Sequence, residues 1–163
     1  MFKRDDITIR EDVRPGDIDI IRSITSSSGF FYEEEIAIAV ELVEERLAKG
    51  EKSGYYFLFA DQGNQTVGYC TYGPIACTKS SYDLYWIAVQ EGMRGGNIGS
   101  LLMDCAEMKI AGMGGTRVYV ETSSRSLYEP TRRFYLARGY AMEAEIRDFY
   151  DRGDSKCIFI KEI

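Results

Sequence analysis

Eleven residues, Gln90-Glu91-Gly92-Met93-Arg94-Gly95-Gly96-Asn97-Ile98-Gly99-Ser100, constrain this chain more than any other stretch. They follow an aromatic and β-branched run, Tyr82 to Val89. They precede a segment in which Ile98, Leu101, Leu102, Cys105 and Met108 share one helical face until Gly112-Met113-Gly114-Gly115 breaks it. A strand, a glycine-rich loop and a helix starting on that loop bring unpaired amides and the positive end of a helix dipole to one point. Such a point attracts an anion such as a pyrophosphate, and Arg94 adds a cation to it. Two phosphate-binding patterns fail. No Lys follows the glycines as a Walker loop requires, and Gly95, Gly96 and Gly99 do not give G-x-G-x-x-G. A nicotinamide fold would also begin with this unit, whereas here a hairpin precedes it. Against a merely flexible turn, the number of glycines and the amphipathic helix after them favour a ligand site.

The rest of the chain reads as one domain over residues 1–163, because two would each be too small to bury a good core and no repeat, low-complexity tract or linker interrupts it. Ile7 to Arg10 alternates as a strand. After Pro15-Gly16-Asp17, Ile18, Ile21 and Ile24 recur at helical spacing, and that helix should end near Ser26 to Gly29. A second helix carries Glu33, Glu34 and Glu35 at its start, Ile36, Val40, Val43 and Leu47 on one face, and Lys49-Gly50 at its close. Its acidic start is read as helix electrostatics. Tyr55 to Ala60 and Thr66 to Tyr72, joined by Asp61-Gln62-Gly63-Asn64-Gln65, predict an antiparallel hairpin. Downstream, Thr116 to Glu121 is a strand and Thr131 to Ala137 a short helix, and Tyr140 to Tyr150 and Lys156 to Lys161 are strands joined by Asp151-Arg152-Gly153-Asp154. The order β-α-α-β-β-β-α-β-α-β-β predicts a mixed α/β fold. Its sheet would have about six or seven mostly antiparallel strands, about four helices and one strand-helix-strand crossover.

Composition narrows the chemistry. The chain has no histidine, and Cys70, Cys77, Cys105 and Cys157 show no C-x-x-C spacing, so zinc-ligand sets and Cys-His nucleophiles lack their parts and no metal is expected. The cysteines read as buried structural thiols. With 26 acidic against 20 basic residues the net charge is -6, which disfavours nucleic acid and suits a cationic or neutral partner. No apolar run is long enough to span a membrane and the first residues are charged, so the expectation is a cytoplasmic protein.

The segment Trp86-Ile87-Ala88-Val89 followed by Arg94-Gly95-Gly96-Asn97-Ile98-Gly99 resembles the GCN5-related N-acetyltransferases, whose core motif is Arg or Gln, two residues, Gly, one residue, Gly or Ala after a strand. Asn97 stands where the family pattern has glycine; asparagine is the non-glycine residue that best tolerates positive φ. A second resemblance lies in Tyr128-Glu129-Pro130-Thr131-Arg132-Arg133-Phe134-Tyr135-Leu136-Ala137-Arg138-Gly139-Tyr140, similar to the family's later helix carrying an aromatic-Tyr pair and ending in Gly-Phe or Gly-Tyr. Either motif alone is weak; in this order they are fairly specific.

The resemblance implies an acyltransferase that moves the acetyl group of acetyl-coenzyme A to a primary amine by direct attack. It implies a sheet splayed beside Tyr82 to Val89, with the pantetheine arm against the backbone of Ile87, Ala88 and Val89. The pyrophosphate would sit at Arg94, Gly95, Gly96, Asn97, Ile98, Gly99 and Ser100. Tyr128, Thr131 and Phe134 would form the wall around the donor, the Val89 amide would polarise the thioester carbonyl, and Tyr135 would be the general acid that protonates the departing thiolate. With no histidine, a carboxylate acting directly or through water must take the ammonium proton. Asp83, six residues before Val89, stands where some members carry a catalytic Glu, and Glu121 is the runner-up. Tyr85 is expected on the same side of the strand as Asp83. Phe30-Phe31-Tyr32 reads as core or as the wall of an acceptor pocket, and Asp148 and Tyr150 carry the same ambiguity.

Charge favours a small amine or amino-acid-like acceptor; a protein or peptide amine is the alternative, as is a module that senses acyl-coenzyme A without transferring it. Sheets of this kind often pair through their late strands, so a homodimer is among the partners the sequence allows.

Overall fold

The tightest local structure grows from the aromatic runs on either side of Gly63-Asn64. β2 (Tyr56–Gln62) and β3 (Gln65–Pro74) pair antiparallel with Gln62 opposite Gln65, so the turn is two residues long and Gly63 takes a φ of +58°. The strands thus extend into the expected connection, because a two-residue turn of this hand matches strand twist. β1 (Ile7–Arg10) joins the outer edge of β2, and β4 (Ser81–Val89) the other edge of β3. From β4 the chain crosses through α3 (Ile98–Gly112) to β5 (Arg117–Ser123), which runs parallel to β4. β6 (Ala141–Asp151) and β7 (Asp154–Glu162) complete a seven-stranded sheet in the order β1-β2-β3-β4-β5-β7-β6. With α1 (Asp17–Ser27), α2 (Glu33–Lys49) and α4 (Glu129–Ala137), the element order and the mostly antiparallel sheet are those the sequence predicts. A computed structural model describes residues 6–163. Among them no helix is long and apolar enough to cross a membrane.

Strand alternation makes two hydrophobic layers. Phe57, Phe59 and Tyr69 turn to one face, under Ile21, Ile24, Val40 and Val43 of α1 and α2. Leu58, Ala60, Cys70 and Tyr72 turn to the other, under α3 and, near Tyr135, α4. α3 buries only part of the stripe read from the sequence. Ile98, Leu102, Met103, Ala106 and Ile110 are buried, whereas Met108 is exposed. The helix is apolar on several sides, so pattern alone did not orient it. Close approach does: a Cβ on Gly68 of β3 would stand 3.2 Å from Ile98 and 3.4 Å from Leu102, so the missing side chain lets the start of α3 lie directly on the sheet. The four cysteines are not all buried as expected, Cys105 being only half-buried. Cys70 and Cys157 are buried, but Cys77 is exposed, in a connection that leaves the sheet, with a φ of +63°.

One ionic knot ties β1, α1 and the first hairpin. Arg10 pairs with Asp17 at 2.9 Å and Asp61 at 2.9 Å, and its guanidinium lies 4.2 Å over the Phe59 ring. Asp17 also accepts the Arg14 amide at 2.7 Å, so its buried carboxylate is held by charge and backbone together. Removing the cation leaves that carboxylate uncompensated. Arg10→Met is therefore expected to lose about 3–5 kcal/mol of unfolding free energy in a denaturant titration, far more than an exposed pair would cost.

Candidate active site

β4 and β5 are the sheet's parallel pair, and they stay together only over Ser81–Arg117, Tyr82–Val118 and Asp83–Tyr119. Beyond Asp83 the two strands part. The β5-facing edge of β4 then has no ladder, and backbone polar groups there need another partner. A β-bulge begins at the same level: Thr71 pairs with Trp86 and Tyr72 with Leu84, leaving Tyr85 extra. The bulge switches the strand's alternation. Tyr82 and Leu84 face the α3 layer, but after the bulge Ile87 and Val89 take that side while Trp86 and Ala88 join the α1–α2 layer.

Past Val89 the glycine-rich loop enters α3. Gly95 takes a φ of +81°, and Asn97, at the cap of α3, a φ of 65° and ψ of 11°. Asparagine here adopts the left-handed conformation for which glycine is the usual residue. No side chain caps α3, and among the described residues no backbone hydrogen bond takes up the amides of Gly95, Gly96 and Asn97. Free amides in a turn of alternating handedness at a helix start form an anion cradle.

The connection between α1 and α2 roofs the split. Arg94 donates to the Ser28 carbonyl at 2.9 Å and lies 4.7 Å over the Phe30 ring. Tyr128 donates to the Phe30 carbonyl at 2.8 Å, and Arg125 to the Tyr32 hydroxyl at 2.7 Å. Phe31 meets Trp86 edge-on at 4.8 Å. The result is a cavity of about 910 Å³ between roof and split strands, the size of a cofactor or small-molecule site.

A family model for the acetyltransferase (GNAT) domain matches residues 53–142. The solved structure of a Desulfovibrio desulfuricans protein assigned to the GNAT family is 39% identical, covers 96% of this chain and 98% of its own, and superposes with a TM-score of 0.94. This chain belongs to the GNAT acetyltransferase family. More distant structures share the fold: Ard1 from Thermoplasma volcanium at 21% identity, covering 97% of this chain and 98% of its own, TM-score 0.79. Another is PaiA N-acetyltransferase from Thermoplasma acidophilum in complex with coenzyme A, at 19% identity, covering 96% and 99%, TM-score 0.73. No curated protein matches the chain.

In this GNAT domain the cavity gathers residues far apart in sequence. Ile87, Ala88 and Val89 line it from β4; Arg94, Gly95 and Gly99 from the loop and α3; Tyr128, Thr131, Phe134 and Tyr135 from the α4 region. Gly96, Asn97, Ile98 and Ser100 do not line it. Ile98 turns its side chain into the core, so only its amide faces the helix start, and Ser100 already belongs to the first turn of α3. Phe30, Phe31 and Tyr32 all line the cavity, as does Tyr150, whereas Asp148 lies outside it. Sequence reading passed over Glu35, Arg125 and Asp154, which also line it. Glu35 looks like helix electrostatics and does accept the Tyr32 amide at 2.8 Å, but the fold also turns it to the cavity. Nothing local marks Arg125 or Asp154; they meet, 3.2 Å apart, only because β5 and β7 pair.

The carboxylates are arranged unevenly. Glu121 lines the cavity and pairs with Lys156 at 2.7 Å. Asp83 does not line it, because it sits where β4 is still paired to β5, opposite Tyr119. Partial burial pushes the Asp83 carboxyl up to about 6, the nearby charge of Glu121 adds to that, and Lys156 draws it partly back. Burial likewise raises the Tyr135 phenol above its ordinary range, with no charge or hydrogen bond contributing, so it holds its proton. Burial first, then the neighbouring Asp83, pushes Tyr85 up to about 12. Among the described residues no group of three or more His, Cys, Asp or Glu is placed to hold a metal ion.

Asp83 makes the stability of the fold depend on pH. Its folded-state value lies above its ordinary value of 3.8, so at low pH the group is neutral in both states and carries no penalty. Between 3.8 and about 6 the unfolded chain ionises while the folded protein still holds the proton, so stability is lost across that window and the loss is complete above about 6. Asp83→Asn is therefore expected to melt above the wild type at pH 8, with the gap closing toward pH 4, in thermal scans across that range.

Proposed function

We propose that this protein transfers the acetyl group of acetyl-coenzyme A to a small primary amine, with the reaction carried out in the split between β4 and β5. The observation that carries the reading is the buried Tyr135 phenol on the wall of a cavity that also holds the free edge of β4 and, through Glu121, a carboxylate. The cradle at Gly95 to Gly99 suits the donor's pyrophosphate, and Arg94 stands beside it. Two amide groups in the pantetheine arm match the unpaired backbone edge of Ile87 to Val89. The amide of Val89 stabilises the oxyanion that forms on the thioester carbonyl.

The acceptor ammonium first loses a proton, through water, to a carboxylate. Asp83 is raised toward the working range of a base but stands behind the cavity wall; Glu121 is at the wall and pairs with Lys156. The two form one relay, with Glu121 receiving and Asp83 coupled to it. The neutral amine then attacks the carbonyl carbon, the nitrogen gives its second proton to solvent water, and the C–S bond breaks. The thiolate takes the Tyr135 proton, which solvent restores. Direct transfer fits because no histidine is present to activate a thiol for an acyl-enzyme route.

The acceptor end supports a small amine over a peptide. Trp86, Phe31, Tyr85 and Tyr150 give it aromatic walls that favour a cation, Glu35 adds a carboxylate, and the bonds from Arg94, Tyr128 and Arg125 hold the roof down across it. The cytoplasm, where acetyl-coenzyme A is available, is the compartment that suits this reaction.

Three measurements test this. Calorimetric titration should show selective binding of acetyl-coenzyme A over NAD and ATP; no binding, or preference for a control, would overturn the reading. Turnover should appear as amine-dependent release of free coenzyme A, faster with small amines than with peptides bearing a free α-amine. Binding without turnover across the whole panel would leave a sensor in place of an enzyme. Tyr135→Phe should lower kcat by about 10²–10³-fold with acetyl-coenzyme A affinity nearly unchanged, the pattern of a lost general acid.

A further inference from the structure

Four of the large apolar side chains that the fold leaves exposed, Tyr32, Ile38, Tyr85 and Tyr150, line one and the same cavity. Scattered singly, such residues are ordinary; gathered at one cavity, they mark apolar surface that a ligand covers. Ile38 is the one that folding explains least. α2 buries Ile36, Ala39, Val40 and Val43, whereas Ile38 stands off that face, 51% exposed, and lines the cavity one helical turn beyond Glu35.

The rings that share the cavity with Ile38 are braced by contacts of their own. Tyr85 meets Tyr55 edge-on at 5.5 Å, and a Cβ on Gly73 would stand 3.2 Å from the Tyr85 ring, so the glycine lets that ring lie against the backbone of β3. Trp86 is met edge-on by Phe31. Braced rings lose little further freedom when a ligand arrives, and their flat faces suit a flat apolar body better than a flexible polar chain. The charges of the cavity are already engaged. Glu35 accepts the Tyr32 amide at 2.8 Å, Glu121 pairs with Lys156 at 2.7 Å, and Asp154 pairs with Arg125 at 3.2 Å. None of these carboxylates is left over for a second cation on the acceptor. Arg125, which also donates to the Tyr32 hydroxyl, is equally taken up and offers no open partner to an acceptor carboxylate. Along β4, Trp86 precedes Val89 by three residues, roughly 10 Å at the rise of a strand. With the attacking nitrogen near the Val89 amide, the rings stand where the far end of a short arylalkyl amine reaches.

We propose that the acceptor is an arylalkyl amine, a single ammonium joined by a short linker to an aromatic ring, with the ring seated against Ile38, Tyr85 and Trp86. The inference rests on the proposed acetyl transfer and names its substrate class, with Ile38 as a specificity-determining residue. The amine nitrogen bonds to the acetyl carbon as the C–S bond breaks, giving an N-arylalkyl acetamide and free coenzyme A. One ammonium proton goes to the carboxylate relay, the second to water, and the Tyr135 proton to the thiolate.

The test compares kcat/KM for phenethylamine, butylamine, putrescine and glucosamine, read as release of free coenzyme A from acetyl-coenzyme A. Phenethylamine should lead each of the other three by about tenfold or more, the worth of a filled apolar subsite. In Ile38→Ala the ratio of phenethylamine to butylamine should fall by about tenfold, chiefly through a higher KM for phenethylamine. Ile38 lies outside the core, and thermal melts of the variant show that the chain is folded. Turnover led by butylamine, putrescine or glucosamine overturns this inference and leaves acetyl transfer standing, as does a ratio that Ile38→Ala does not move. No turnover with any amine overturns the proposed reaction and this inference with it.

Discussion

Parallel pairing of β4 and β5 lasts only from Ser81 to Asp83, and the rest of the molecule is arranged around its loss. A parallel strand pair in the middle of a sheet normally stays closed, because opening it strands backbone donors and acceptors. Here β3 and β7 hold the outer edges of the two strands, so they can diverge while each keeps one complete ladder. The bulge at Tyr85 adds twist where the divergence begins and turns both Tyr85 and Trp86 toward the cavity. The open edge is then a row of fixed dipoles in a partly dry cleft, suited to a ligand rich in amides.

The electrostatics of that cleft follow from burial more than from net charge. The chain is acidic, yet the cleft carries Arg94 beside the glycine-rich loop and Arg125 among the carboxylates of the other end, one of which, Glu121, is paired with Lys156. Burial keeps Tyr135 protonated and holds Asp83 near the middle of the titration range.

Much of this was legible in residue order. Period-two and helical patterns, aromatic and β-branched runs and the turn residues between them placed all seven strands and four helices. The chemistry of single residues also carried over: Asn97 tolerates positive φ, and it occupies the left-handed cap of α3. The orientation of α3 was not legible. Its apolar residues surround the helix, and the choice of Ala106 and Ile110 over Met108 depends on the close approach that Gly68 permits from another strand.

For this protein the sequence by itself determined the order of elements, the family and the loop that starts α3, since each depends on neighbours within a few residues of one another. Only the tertiary structure decided which side chains share the cavity. Glu35, Arg125 and Asp154 enter it from three separate elements, and Asp83, although well placed on its strand, is kept behind the wall because β4 has not yet parted from β5 at that level. Position along a strand is local, but the point at which two strands separate is set by the partners on their far sides, and no single segment encodes it.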